Sequence, residues 1–326
     1  MTDPFTPPAP LQTAVLFLVF NRPDTTAKVF EAIRKAKPLR LYVAADGPRA
    51  NREGEAGKVV KVRKIATAVD WPCEVKTLFR DENLGCKYAV SAGITWFFEQ
   101  EEQGIILEDD CLPHPEFFGF CATLLDRYAN DEQLFQITGQ NFQNGIRRGE
   151  SSYYFSRYNH IWGWASWRRA WQKADMNIRF WPVWKASSGW RGFWPDSVAR
   201  KYWEKIFDRM YRAEIDTWDY PWTASVWYHG GLTATPNVNL VSNIGFGDDA
   251  THTTSKNNTH ANLPTQSIGE ITHPKSVTQN AVADRWVFDY HFSGRNLRFP
   301  RSWLIFPKRA LRFLWRRTKS LVSALT

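Results

Sequence analysis

Over roughly the first 140 residues, short apolar runs alternate with segments of helical periodicity. TAVLFLVF (13–20) is a continuous apolar run of strand length, the pattern of a strand buried on both faces. NRPDTT follows, where Asp24 can cap a helix running to about Lys35. LRLYVAADGPR (39–49) reads as a second strand ending in an Asp-Gly turn, GEAGKVVKVRKIATAV (54–69) as a helix, and CEVKTLFR (73–80) as a third strand. NLG then opens a helix that reaches WFFEQEE (96–102), and IILEDD is the fourth strand. EFFGFCATLLDRYAN (116–130) is the next helix and LFQITGQ (134–140) a further strand. This alternation predicts a doubly wound α/β domain with a mostly parallel central sheet. From about Phe142 to Asn243 the pattern loosens into Trp-rich, loop-rich sequence. One helix stands out there, at 197–213, with Trp203, Ile206, Phe207 and Met210 on one face. Residues 250–280 are polar and read as loop.

The densest chemistry lies in GIILEDDCLPHPEFF (104–118), where Ile105, Ile106 and Leu107 run straight into Glu108, Asp109 and Asp110. In open parallel sheets ligands sit at the carboxyl ends of the strands. Three carboxylates packed at such an edge are costly without a positive partner. Carboxylate oxygens suit hard divalent cations such as Mg²⁺ or Mn²⁺. The pattern points to a metal site holding a phosphate-bearing substrate. The competing reading makes Asp110 an N-cap, ahead of a turn with Pro113 and Pro115, for a helix starting near Glu116.

Composition adds three constraints. A chain of 326 residues with 43% apolar content can bury a large core in one or two domains. Its 17 tryptophans suit stacking on sugar rings, although filling the core is the expected use of most of them. The net charge of +9 is localised, because residues 291–326 hold nine of the 42 basic side chains and no acid, leaving 33 against 33 elsewhere. A neutral body argues against a nucleic-acid surface and for one localised anionic partner.

Within that basic stretch, PKRALRFLWRRTKSL (307–321) suits a helix with Pro307 at its first position. Leu311, Leu314, Trp315, Thr318, Leu321, Val322 and Leu325 share one face, and Lys308, Arg309, Arg312, Arg316 and Lys319 the other. That is the pattern of a helix lying in an anionic membrane interface. Cys73, Cys86, Cys111 and Cys121 show no CxxC spacing and read as free thiols of a reducing cytoplasm. MTDPFTPPAP lacks a signal-peptide pattern, and no apolar run approaches a membrane span. The expected location is therefore the cytoplasm, peripheral on the inner face of the cytoplasmic membrane.

NRP after strand one, ADGPR after strand two, and EDD followed by a Phe-rich helix together resemble the GT-A glycosyltransferase fold. The pattern is similar to the N-acetylglucosaminyltransferase I family and to bacterial proteins labelled hemolytic-protein-like. It is densest in LEDDCLPHPEFFGFCATLLDRYANDEQLFQITGQN (107–141) and extends over roughly 13–255. The resemblance implies a GT-A domain, a Rossmann-like α/β/α sandwich with a C-terminal basic amphipathic helix. A disordered leader (1–11) would precede a nucleotide-sugar-binding half (12–141) and an acceptor and catalytic-base half (142–290), with a membrane-associating tail (291–326).

It also implies a metal-dependent, inverting transfer from a nucleotide-sugar donor, UDP-linked by default, to a glycan or lipid-linked saccharide of a bacterial surface polysaccharide. Asn21 and Arg22 stand where the family's first strand ends beside the nucleotide, and Asp46 matches a contact to the uridine region. Lys87 replaces a His that contacts the nucleotide. Asp110 matches the direct metal ligand, and Glu108 and Asp109 match ribose and sugar contacts. In HIWGWASWRRAW (160–171), Gly163 lets the backbone approach a sugar closely. EIDTWDYPW (214–222) resembles a Trp-Asp-Asp-Trp segment carrying the catalytic base, with Tyr220 in place of the second Asp, so that the base is Asp219 or Asp216. His252, after Asp248 and Asp249, stands where many such enzymes place a late His near the metal or diphosphate.

Overall fold

The computed structural model describes residues 10–246 and 262–301. The continuous apolar runs of the first half become parallel strands, each joined to the next by one helix. They are β1 (Val15–Val19), α1 (Pro23–Ala36), β2 (Arg40–Ala45), α2 (Glu55–Ala66), β3 (Glu74–Phe79), α3 (Gly85–Gln100) and β4 (Gln103–Glu108). Pro23 starts α1 with its φ already set, and Thr26, Val29, Phe30, Ile33 and Ala36 bury one stripe of the helix. Asp24 sits in the first turn and favours the positive end of the helix dipole, while the capping position itself belongs to Arg22. The acidic cap expected at Asp24 is therefore displaced by the proline.

Next come the short β5 (Cys111–Pro113), α4 (Glu116–Arg127) and β6 (Leu134–Thr138). Because 111–113 is a strand paired to residues 241–243, Pro115 rather than Asp110 precedes α4, which removes the N-cap reading of Asp110. The Trp-rich stretch is more regular than its sequence suggests. It forms β7 (Tyr153–Ser156), β8 (Trp164–Trp167), α5 (Arg168–Trp171), α6 (Trp181–Ala186), α7 (Ser188–Phe193), α8 (Ser197–Tyr211), α9 (Asp219–Tyr228), β9 (Leu232–Pro236) and β10 (Val241–Asn243). A further helix, α10 (Ala281–Trp286), continues into a π-helical turn, Val287–His291.

Eight strands form one sheet in the order β3-β2-β1-β4-β8-β6-β9-β7, with β8 and β7 opposed to the other six. Helices α1, α2 and α4 pack on one face and α3 with the Trp-rich helices on the other, giving a Rossmann-like α/β/α sandwich, the fold class expected from the sequence. Ten tryptophans, among them Trp164, Trp203, Trp218 and Trp222, fill the second interior. Most of the unusual Trp content is thus spent on packing. All four cysteines are free thiols. Among the described residues no helix is long and apolar enough to cross a membrane. The basic stretch from 302 onward, His252 and the region 247–261 lie outside the described residues.

Candidate active site

Strands β2, β1 and β4 are parallel neighbours, so their carboxyl ends open side by side. Beyond β1 the chain continues as Phe20, Asn21 and Arg22, and beyond β4 as Asp109 and Asp110. Arg22 bridges the two acids. Its Nη1 donates to Asp110 Oδ2 at 2.9 Å and its Nη2 to Asp109, while the Phe20 N–H donates to Asp109 Oδ2 at 3.2 Å. The positive partner that the acid triplet demands is thus supplied in part by the chain itself.

One guanidinium does not balance three carboxylates. Burial, then the charges of Asp110 and Asp109, drives the Glu108 carboxyl well above its usual range. Burial also raises Asp109 despite Arg22. Glu108 Oε1 is sealed from solvent and has no hydrogen-bond partner among the described residues. Gly245 lies directly on this group, where a Cβ would collide with both Asp110 and Arg22. The β10–β5 ladder and the Ile244 N–H, which donates to the Asp110 carbonyl at 2.8 Å, hold it there.

The other expected nucleotide-side residues are tied into the scaffold. Asn21 donates to Glu55 at 2.8 Å, and Glu55 pairs with Arg49, which holds its carboxyl down at about 2. Asp46 accepts the N–H groups of Leu84 and Gly85 at 3.0 and 3.2 Å and the Asn83 amide at 2.9 Å, so it fastens the end of β2 to the start of α3. Burial raises its carboxyl against those donors. Lys87 is not the solvated helix lysine its type suggests. It is 6% exposed, with its ammonium 3.1 Å from the Asn177 amide oxygen and 5.2 Å from the Tyr88 ring centre. Gly163 adopts φ +69°, and a Cβ there would meet Val241 at 2.6 Å, so its close approach is to β10.

The two candidate bases reach the same edge from the far half. Asp216 accepts the Lys87 N–H at 3.2 Å at the first turn of α3. Asp219, at the start of α9, accepts from the Thr217 hydroxyl and from the Tyr220 N–H at 2.8 Å. The thiol of Cys86 registers their convergence. Burial first, then Glu108, Asp219, Asp216 and Asp46 together, push it up to about 12. Asp219 also lines a cavity of 160 Å³ with Gln140, Asn159 and several aromatic rings. A larger cavity of 460 Å³, between Thr95, Arg168 and Trp171, lies at the amino-terminal end of β4, away from the acids.

Sequence reasoning missed the Arg22 bridge, the Arg49–Glu55 pair and the amides of Gln140 and Asn159. The Asn-Arg following β1 signalled the first, and nothing local signals the others. Among the described residues no group of three or more His, Cys, Asp or Glu side chains is disposed to hold a metal. The residues present, Asp110 with the unpaired Glu108 oxygen, fit a hard cation of the kind that takes one or two carboxylates and completes its shell with phosphate oxygens.

No protein-family model matches the chain, and no curated protein matches it. Solved structures similar to it include a CMP:2-keto-3-deoxy-manno-octonic acid synthetase complexed with CTP, 14% identical over 69% of this chain and 89% of that one, with a TM-score of 0.34. A UDP-glucose pyrophosphorylase complexed with UDP-glucose is 11% identical over 46% and 64%, with a TM-score of 0.26. A galactosyltransferase in complex with donor and acceptor sugar analogs is 10% identical over 65% and 70%, with a TM-score of 0.30.

Proposed function

We propose that the protein is a metal-dependent, inverting glycosyltransferase that moves a sugar from a nucleotide-sugar, UDP-linked by default, to a hydroxyl of a glycan or lipid-linked saccharide. The observation that carries this reading is the position of Asp219. It acts electrostatically on Glu108 in the acid cluster and also lines the aromatic cavity beside it. A base placed between a diphosphate site and an acceptor site is what the reaction needs.

In this reading Asp110, with Glu108, would hold Mg²⁺ or Mn²⁺, and Arg22 holds Asp109 and Asp110 in place. The cation would supply Lewis-acid stabilisation of charge on the leaving group. Lys87 offers a buried positive charge at the start of α3. Asp219 takes the proton of the acceptor hydroxyl, a contribution of about 10²–10⁴-fold for a positioned carboxylate. Attack from the face opposite the diphosphate inverts the anomeric centre. The basic segment 307–321 would bring the enzyme to anionic lipid, and deletion of 301–326 is expected to release the protein from anionic vesicles.

Tyr220, standing where the resemblance has a second Asp, favours one other reading, a sugar- or nucleotide-binding module without turnover. Calorimetric titration of UDP, GDP and dTDP, with Mn²⁺ and then with EDTA, tests the transferase reading. One nucleotide is expected to bind only with the metal, and Asp110→Ala is expected to abolish that binding. Absence of nucleotide binding by the folded protein would overturn it. Sugar transfer from any donor would remove the module reading.

A further inference from the structure

We propose that the cavity beside Asp219 seats one uncharged pyranose ring of the acceptor, read by the side-chain amides of Gln140 and Asn159; this inference rests on the transferase reading above. Gln140 is 2% and Asn159 6% exposed, and both line the cavity. Gln140 spends its oxygen on the Trp162 N–H at 3.1 Å. Its Nε2 and the Nδ2 of Asn159 are sealed from solvent and have no partner among the described residues. Buried amide donors are normally paired, and two left without partners on residues that line one cavity are a standing demand for an acceptor oxygen.

The walls define the rest of the ligand. Tyr158, Trp203 and Phe292 give apolar faces for the C–H surface of a ring. No Lys or Arg lines the cavity, whose carboxylate is Asp219 and whose imidazoles are His160 and His291, so an uncharged ring is the occupant that needs no fixed cation. The volume of 160 Å³ leaves room for a sugar ring. A hydroxyl of a ring seated here lies against Asp219, the group that must take its proton.

The test uses the full chain and a panel of methyl glycosides: glucoside, galactoside, mannoside and N-acetylglucosaminide. Binding is read by saturation-transfer NMR and tryptophan fluorescence, with and without UDP and Mn²⁺. At least one glycoside is expected to bind with millimolar Kd and to stay bound when UDP or the UDP-sugar is added. Asn159→Leu should weaken that binding roughly tenfold while leaving Tm equal or higher, because it deletes an unpaired buried donor. Gln140→Glu keeps the oxygen that serves Trp162 and removes the Nε2 donor, and should weaken binding by a similar factor.

Absence of glycoside binding in wild-type protein that still binds UDP overturns this inference alone. Wild-type affinity in both variants does the same, and displacement of the glycoside by a UDP-sugar but not by UDP reassigns the cavity to the donor. Glycoside binding without any nucleotide binding removes the acceptor role together with the transferase reading.

Discussion

At the ends of β1, β2 and β4, charged groups are matched mostly within the protein. Arg22 spans Asp109 and Asp110, Asp46 takes backbone donors from the start of α3, and Glu55 takes Asn21 and Arg49. Around Asp219 the polar groups are fewer, set among aromatic rings, and two amide nitrogens on cavity-lining residues are buried and unpaired. Among the described residues of the first region, the Glu108 oxygen is a buried acceptor left over. The second has kept its hydrogen-bonding capacity open. A rigid charged platform beside an unsatisfied apolar pocket is what two chemically different substrates require: a polyanion needs fixed charge, and a neutral ring needs shape and a few directed donors.

Four predictions break or sharpen that contrast. The largest effect belongs to the group shared by both regions. Asp219→Asn should cut transfer by about 10²–10⁴-fold while nucleotide binding measured by calorimetry stays near wild type, and near-normal turnover would remove Asp219 as the base. Arg22→Met leaves the buried Asp109 and the partly buried Asp110 without their cation and should cost about 3 kcal/mol in urea unfolding, since one partner of a largely buried pair is lost. A loss no larger than that of an ordinary surface change would mean the platform is not held by this pair.

Gly163→Ala forces a side chain into positive φ and against Val241, and should lose about 1–3 kcal/mol. Val241→Ala in the same chain should recover only the steric part. The smallest effect is a pH effect. The Arg49 hydrogen bond holds Glu55 at about 2, below its ordinary 4.5. A depressed acid stabilises the fold fully above 4.5 and loses that contribution as pH falls toward 2. Glu55→Gln should therefore cost ~1 kcal/mol above pH ~5, allowing for solvent screening at Arg49, and that difference should fade through the acid range.

The first half of the sheet was legible because each strand is one continuous apolar run and each link is one local helix. β7 and β8 were not, since each is four residues long, aromatic, and paired with strands far away in sequence. The acid triplet was readable from its place after β4. Arg22 was visible after β1, but its pairing with Asp110 spans 88 residues and no local pattern shows it. Lysine is so rarely buried that the setting of Lys87 contradicts its residue type. Gln140 and Asn159 are ordinary polar residues in sequence, and only the fold brings them to the same cavity as Asp219.

Strand β8 lies between β4 and β6, opposed to both. The strand that carries Glu108 thus gains its second neighbour only after the chain has been made through Trp167. Until then its backbone offers a row of unmet donors and acceptors to any passing strand. The first 141 residues, although they hold nearly all of the charged platform, are therefore no independent unit. Cut off there, they should aggregate, and during synthesis they must wait for the segment that closes the sheet.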